Sequence, residues 1–360
     1  MKVLSKKYLL NFIYIILTML TQISNDLIHH FLGKSDINSL LKSQTVKSLY
    51  ESLYSEYNNS RIKIEMKEMS FPTNAFIAKS IQNKLHEYKN AMTLSWTTRG
   101  RSSVRNTLHI YLDDDSEPNT KLLVDAISYI TSFSDKNRKI VIHLCLLPNK
   151  KIIKKNTKNL TNLNVNSGSS HYTNTESEIC IFRREECIKV IFHEILHGLR
   201  CSNLGFNEKI TERLCQKYNL DSKDILVDES YTEIWAKILN TYYISTLTNS
   251  STKYQHFCTM LAIEREFSLY QASKVKEFIK TIKDKNLDKS TNVTAYYLVV
   301  GEILNDLESF LNICDNNPYV KDHKACLEYL YQLNLPKRKR VSNDDKYYNT
   351  LRMSVFELRV

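Results

Sequence analysis

The stretch Val190–Leu199 reads VIFHEILHGL and places His193, Glu194 and His197 inside an apolar run. Three polar side chains are costly to bury in such surroundings unless an interaction offsets their lost hydration. On a helix, residues four apart share a face, so His193 and His197 can both reach one metal ion. Glu194 points about 100° away from His193, where it can meet a metal-bound water without binding the metal. The stretch therefore predicts a helix that carries two zinc ligands and a general base.

The flanks of this motif make the metal-binding interpretation more specific. The bare His-Glu-x-x-His pattern arises by chance in roughly one chain in a hundred of this composition. Here the neighbours Val190, Ile191, Ile195 and Leu196 are all uncharged. The alternative is a buried helix with two hydrogen-bonded core histidines, and that alternative must also bury a glutamate without a partner.

A catalytic zinc also needs a third protein ligand and an open coordination position. The motif variant with a third histidine needs glycine and histidine where this chain has Arg200 and Asn203, so that class is excluded. Glu229 and Glu233, further along the chain, share a helix face and would repel each other unless a cation or histidine lay between them. We therefore predict Glu229 as the third ligand and Glu233 as the acceptor for a histidine N–H. A solvated acidic helix face is the alternative.

The predicted mechanism is metal-assisted hydrolysis, in which the zinc lowers the pKa of its water and Glu194 takes the proton. A hydrogen-bond donor should then stabilise the oxyanion that forms. The sequence does not choose among the candidate donors, which are Tyr231, Tyr296, Tyr297, Arg200 and His323. The chain has 22 tyrosines, and most of them should simply pack in the core.

The remaining sequence predicts an α+β fold with a small mixed sheet before the metal helix and a mainly helical part after it. Strands are predicted over residues 107–112, 139–147 and 179–182, and a turn over 166–170. Helices before the motif are predicted over residues 26–32, 37–57, 74–92 and 120–133. Beyond residue 205 only helices are expected, over residues 206–218, 224–246, 252–284, 293–314 and 320–333. The active site should lie between the sheet and the later helices.

Three segments are predicted along the chain. Residues 1–60 form an N-terminal helical and hydrophobic segment, residues 61–335 the metallopeptidase domain, and residues 336–360 a basic tail. The apolar run of residues 8–20 follows lysines as in a signal peptide, but a small-residue cleavage site does not follow it. It is also shorter than the roughly 20 residues that span a bilayer. A buried or partner-binding helix is favoured, and membrane association through a signal or anchor stays open.

Charge and cysteine content limit the other function classes. The net charge is +11, yet the basic residues are spread out, and the one dense cluster is residues 337–340. A solvated tail explains that cluster better than a nuclear-localisation or nucleic-acid patch, so no specific nucleic-acid binding is expected. The eight cysteines show no C-x-x-C spacing, so we predict reduced, structural thiols and favour a cytoplasmic location. A secreted, disulfide-bonded form is the alternative.

A family resemblance follows from the two-part motif. The His193–His197 motif with Glu229-x-x-x-Glu233-x-x-Ala236 resembles the glutamate-zincin (gluzincin) metallopeptidases. Three further segments resemble uncharacterised zincin-like proteins of nucleocytoplasmic large DNA viruses, namely residues 165–168, 181–197 and 294–298. The likeness covers roughly residues 105–315, and the first 100 residues and the basic tail lie outside it.

The resemblance implies a zincin-like fold and zinc-dependent hydrolysis of a peptide or protein substrate, with one Zn²⁺ per chain completed by Glu229. It also implies that a strand edge before the metal helix aligns the substrate as an added strand. Residues 139–147 or 179–182 are expected to border that groove. The alternative is a non-catalytic zincin-like protein with a binding or virion-structural role.

Overall fold

A computed structural model describes the protein from residue 18 to residue 360, with short internal gaps. The gaps are residues 56–57, 60–61, 100–103, 113–117, 135–137, 155–156, 222–223, 249–251, 283–284, 286, 288–290, 338–340 and 343. Most of the N-terminal apolar run, with the signal, anchor or buried-helix alternatives, therefore lies outside the described residues. So does most of the basic cluster at 337–340. None of the described helices is both long enough and apolar enough to cross a bilayer.

The strands all precede the metal helix and helices follow it, so the α+β prediction is confirmed. Before the sheet lie α1 (Gln22–Leu32), α2 (Ile37–Lys42) and α3 (Gln44–Ser52). The strands are β1 (Asn58–Asn59), β2 (Lys63–Glu68), β3 (Asn90–Arg99), β4 (Arg105–Tyr111), β5 (Lys139–Cys145), β6 (Gly168–Tyr172) and β7 (Glu176–Ile181). Among the strands lie α4 (Lys79–Leu85), α5 (Thr120–Thr131) and α6 (Asn162–Val165).

The later helices begin with the predicted metal helix, α7 (Cys187–Gly198). They continue as α8 (Glu208–Tyr218), α9 (Val227–Thr246), α10 (Lys253–Thr281), a π-helix (Thr294–Val299) that runs into α11 (Val300–Asn305), α12 (Leu307–Ile313) and α13 (His323–Gln332). Four of the five helices predicted beyond residue 205 are confirmed to within a few residues. The fifth, predicted over residues 293–314, is divided into the π-helix, α11 and α12.

The sheet is mixed and ends in an antiparallel edge strand beside α7. Its order is β3–β4–β5–β7–β6, and both β1 and β2 pair with the outer side of β3. Strands β4, β5 and β7 are parallel to one another, whereas β6 is antiparallel to β7. The helix α7 packs against β6 and β7 on one side and α9 on the other. Eleven of its twelve residues are buried.

Two local predictions in the sheet region are wrong. The helix predicted over residues 74–92 is limited to α4, and β3 begins at Asn90 because it has pairing partners on both sides. Such non-local pairing overrides local helical periodicity. The turn predicted at residues 166–170 is instead the start of β6, since β7 offers it a full set of backbone partners.

The single helix predicted over residues 37–57, before the sheet, is divided into α2 and α3. The Ser43 hydroxyl accepts a hydrogen bond from the Val46 N–H and so begins the second helix.

The C-terminal residues are part of the core, so residue 336 does not mark its edge. Leu351, Val355 and Phe356 are fully or almost fully buried and join the same apolar cluster as the N-terminal helices. Leu358 forms an antiparallel bridge with Leu20. The prediction of a tail rested on the basic cluster, whereas buried apolar residues follow it from Val341 onward.

Buried carboxylates hold this C-terminal segment by its backbone. The Glu186 carboxylate accepts from the backbone N–H groups of Met353 and Ser354, at 3.0 and 2.5 Å. The Glu264 carboxylate accepts from the N–H of Val355 at 3.0 Å and from the Ser354 hydroxyl at 2.8 Å. Hydrogen bonds to ionised acceptors are stronger than neutral ones. The segment is therefore fixed to α7 and α10 and is not solvated.

Candidate metal centre

Two histidines of α7 and one glutamate of α9 converge on a single point. The Nε2 atoms of His193 and His197 lie 3.1 Å apart, and each lies 3.2 Å from Oε2 of Glu229. Among the residues that the structure describes, these three form the one group of His, Cys, Asp or Glu side chains close enough to share an ion. The structure thus brings together the three ligands that the sequence predicts.

Local structure explains this convergence. His193 and His197 are one turn apart on α7, so their rings lie on the same face. Glu229 is in the first turn of α9, which packs directly against α7. The Leu204 N–H donates to the Asp228 carboxylate at 2.6 Å and ties the chain between the two helices to the start of α9. Helix packing and this tie place the Glu229 carboxylate opposite the two rings.

The electrostatics of the triad are those of opposite charges at close range. Burial is the largest single effect on His193 and lowers its pKa, but the neighbouring carboxylates of Glu229 and Glu233 raise the pKa to about 9. Burial likewise acts to raise the pKa of Glu229, yet the two histidines hold that pKa well below its usual range. The carboxylate of Glu229 is therefore ionised in this environment, as a metal ligand must be.

Glu233 faces the other nitrogen of His193. Its Oε2 lies 3.0 Å from His193 Nδ1, an ion-pair distance with poor alignment for a hydrogen bond. With a metal bound, His193 would be neutral, and we assign its remaining proton to Nδ1 from this contact, which leaves the Nε2 lone pair facing the triad. Glu233 thus occupies the position that the sequence predicts for it.

Glu194 lies beside the triad and points toward β6. Burial raises its pKa, His193 and His197 act to lower it, and it accepts a hydrogen bond from Ser170 of β6. An added Cβ on Gly168, also in β6, would lie 2.9 Å from Glu194 Oε1. A side chain at residue 168 would therefore displace the Glu194 carboxylate. Ser170 and Gly168 are not among the site residues predicted from the sequence, although glycine is scarce in this chain and Gly168 lies within the segment that resembles the viral zincin-like proteins.

Of the predicted oxyanion donors, the structure brings Tyr296 to the triad. Its hydroxyl donates to Oε2 of Glu229 at 2.8 Å, and its ring meets the His193 ring edge-on. Burial, followed by the nearby Glu229, raises the pKa of Tyr296 well above its ordinary value, so the hydroxyl keeps its proton. Tyr296 lies on the π-helix, a rare element that is frequent at functional sites.

The other predicted donors lie elsewhere. The Tyr297 hydroxyl donates to the backbone carbonyl of Leu351 at 2.5 Å, on the side of the π-helix that faces the C-terminal segment. Tyr231 is buried against Phe310, and His323 is exposed at the start of α13. Arg200 stacks over the Tyr172 ring at the end of β6, 5.0 Å from its centroid. Of this set, only Tyr296 lines the cleft described next.

The triad opens into a cleft of about 730 Å³ between β6 and the start of α9. Ser167 and residues 168–170 of β6 line it, together with Gly205, Phe206, Asp224, Leu226, Asp228 and Glu229. The strands predicted to border the groove do not do so, because β5 lies inside the sheet and β6 covers the edge of β7. The groove edge is instead β6, which the sequence analysis had interpreted as a turn.

The strand β6 is at the edge of the sheet, and on its side away from β7 none of the other described strands pairs with it. The Phe182 N–H donates to the Ser167 carbonyl, which fixes the alternation of bonded pairs with β7. Because antiparallel pairs alternate, the N–H and C=O groups of Gly168 and Ser170 point away from β7. Such an edge can pair with an added strand.

The donor set suits a zinc ion. Two imidazole nitrogens and a carboxylate oxygen are ligands that zinc accepts, and three protein ligands beside an open cleft are typical of a catalytic site. A structural zinc site would instead have four protein ligands and no access from solvent. Comparison of the chain with protein-family models, with curated proteins and with solved structures finds no match.

Proposed function

We propose that this protein is a zinc-dependent metallopeptidase of the gluzincin type, with a zincin-like fold. The observation that carries the proposal is the convergence of His193, His197 and Glu229 with Glu194 beside them in one open cleft. Each of the four has the chemistry that hydrolysis requires: three ligands and a carboxylate whose pKa is raised toward the range of a general base. When bound, a zinc ion would supply Lewis-acid chemistry and activate water.

The chain's own residues then have distinct roles in peptide hydrolysis. Glu194 accepts the proton of the attacking water and passes it to the leaving amine, while Ser170 holds the carboxylate in place. Tyr296 presents a protonated hydroxyl that can donate to the oxyanion. The outward backbone groups of Gly168 and Ser170 bind the substrate main chain as an added strand.

The cleft walls also favour a peptide occupant. Phe76, Tyr172 and Phe206 line the cleft and remain exposed, between 43% and 59%. Exposed aromatic side chains on a concave surface are typical of binding sites. An extended peptide with large apolar side chains would cover them while its backbone pairs with β6.

Metal analysis and a peptide library together test the proposal. The purified protein should contain one zinc per chain and cleave members of a broad peptide library. Glu194→Gln should keep the zinc and lower kcat/KM by about 10²- to 10⁴-fold, because it removes the general base alone. Glu229→Ala should lose the metal, whereas Glu178→Ala, a control at a glutamate outside the cleft, should not.

Two results would contradict the proposal. A wild-type protein that binds no zinc would remove its basis. A protein with stoichiometric zinc that cleaves nothing in the library would instead support the alternative, a zincin-like binding or structural protein with an architectural metal.

A further inference from the structure

A buried lysine stands one turn before His193 on the metal helix. Lys189 is 2% exposed, and its Nζ donates to both carboxylate oxygens of Glu233, at 2.8 and 2.9 Å. Glu233 in turn faces Nδ1 of His193. A lysine in the dry interior is destabilising unless it is paired, so its place in this helix calls for a reason.

Lys189 belongs to a row of alternating charges behind the triad. Three lysine–glutamate pairs form the row, each with an N–O distance of 2.8 Å: Lys151–Glu186, Lys189–Glu233 and Lys237–Glu264. All six side chains are at most 2% exposed. Three positive and three negative groups leave the row neutral, so each carboxylate is compensated in a region from which water is excluded.

Within this row, Lys189 is the cation that fixes Glu233. Its two hydrogen bonds hold both carboxylate oxygens and so set which oxygen faces His193. Lys237 lies 3.9 Å from Glu233 and is hydrogen bonded to Glu264 and Ser268 instead. Without Lys189, Glu233 would keep its contact with His193 but lose the partner that defines its orientation.

We propose that Lys189 is a positioning residue for the metal, acting through Glu233 to hold His193 with its Nε2 lone pair aimed at Glu229 and His197. This inference rests on the metal site of the proposed function. Partners that orient a ligating histidine typically contribute 10- to 100-fold to metal affinity. Lys189 extends this effect by one more hydrogen-bonded contact, to a residue that is not itself a metal ligand.

The test compares two buried lysines of the same row. Zinc affinity of the full chain is measured by competition with a chromogenic chelator, and stability by chemical unfolding. Lys189→Met should weaken zinc binding by about 10- to 100-fold. Lys151→Met is the control, because Lys151 is equally buried but pairs with Glu186, so zinc affinity should stay within about threefold of wild type while stability falls. Equal zinc affinity in both variants would overturn the inference.

A double-mutant cycle covers the case in which Lys189→Met does not fold. Lys189→Met combined with Glu233→Gln removes both charges of the pair and avoids an unpaired buried carboxylate. If Lys189 acts through Glu233, the double variant should bind zinc as weakly as Glu233→Gln alone. A double variant that binds zinc clearly more weakly than Glu233→Gln alone would show that Lys189 acts by another route and would overturn the inference.

The affinity measurement separates this inference from the proposed activity. A wild type that binds zinc but cleaves no peptide contradicts the peptidase proposal, yet a selective effect of Lys189→Met on affinity would still support the positioning role. If the wild type cleaves peptides but Lys189→Met binds zinc as tightly as wild type, the positioning role alone is overturned. A wild type that binds no zinc overturns both.

Discussion

Two clusters in this protein contain the same residue types in very different geometry. The metal cluster comprises His193, His197, Glu229 and Tyr296. The sheet cluster comprises His109, His143, Glu178 and Tyr111, on β4, β5 and β7. In the sheet cluster the histidine rings stack face to face, with centroids 4.9 Å apart. In the metal cluster the planes of the two histidine rings are inclined at 74°, and their Nε2 atoms lie 3.1 Å apart.

The difference shows that convergence of lone pairs, and not composition, distinguishes a metal site. In the sheet cluster Tyr111 bonds His143 Nδ1 at 2.9 Å and Thr93 bonds His109 Nδ1 at 2.9 Å, so each ring has its own partner. Burial lowers the pKa of both sheet histidines to about 4, whereas carboxylates raise the pKa of His193 to about 9. We interpret the sheet cluster as structural.

The largest expected effect separates the clusters by metal content. His193→Ala should abolish zinc binding and reduce peptide cleavage to background, because only two ligands remain. His143→Ala should leave the zinc content at one per chain. Elemental analysis of the two purified variants checks this. Equal zinc loss in both would contradict the prediction, because zinc binding would then depend on the sheet cluster as well.

The tyrosines give the next comparison. Tyr296→Phe should keep the zinc but lower kcat by about 10²-fold, as for loss of one oxyanion donor. Tyr111→Phe should leave kcat unchanged and reduce the free energy of unfolding by about 1 kcal/mol, the value of a typical hydrogen bond. Kinetics and chemical unfolding on both variants provide the measurement. An unchanged kcat in Tyr296→Phe would contradict the oxyanion role and would leave the hydroxyl with its hydrogen bond to Glu229 alone.

Two glycines test how closely β6 approaches Glu194. Gly168→Ala places a Cβ 2.9 Å from Glu194 Oε1 and should lower kcat/KM by roughly 10-fold through displacement of the base. Gly33→Ala has no heavy atom within 4 Å of the new Cβ and should match wild type. Full activity in Gly168→Ala would contradict the prediction, because it would mean that Glu194 still acts as the base when its carboxylate is displaced.

Acid should destabilise the fold through the sheet cluster. The pKa of His109 and His143 is about 4 in the folded chain and about 6.5 when unfolded. Because the unfolded state binds more protons between these values, stability is full above pH 6.5 and falls as the pH drops toward 4. The loss should reach up to about 3 kcal/mol for each histidine. Chemical unfolding should be measured at several pH values from 7.5 to 4. The free energy of unfolding should depend less on pH in the double variant His109→Gln/His143→Gln than in wild type.

Local information accounts for what the sequence predicts well. The face shared by His193 and His197 depends only on helical spacing, and the pairing of Glu229 with Glu233 follows the same rule. The buried strand β5 and most later helices follow from apolar periodicity. These features need no knowledge of distant partners.

Non-local contacts account for what the sequence analysis missed. The strand β6 begins with the small residues Gly168 to Ser170, a composition typical of a turn, and it is a strand because β7 provides backbone partners. The three tyrosine candidates were not separable, because the π-helix decides that Tyr296 faces Glu229 while its neighbour Tyr297 faces Leu351. Lys189 could have been found from the sequence, because it is a lysine among the apolar residues 187–192 and lies four residues before a predicted ligand.

The bridge between Leu20 and Leu358 has a consequence for how the protein folds. It closes a loop that contains almost the entire chain, and such distant contacts slow folding. Glu186 and Glu264 receive their backbone donors only when the C-terminal segment docks, and these donors add to the ion pairs with Lys151 and Lys237. The support behind the candidate metal site is thus completed late in folding. Amide protons of Met353 and Val355 should accordingly exchange with solvent through global unfolding and not through local fraying.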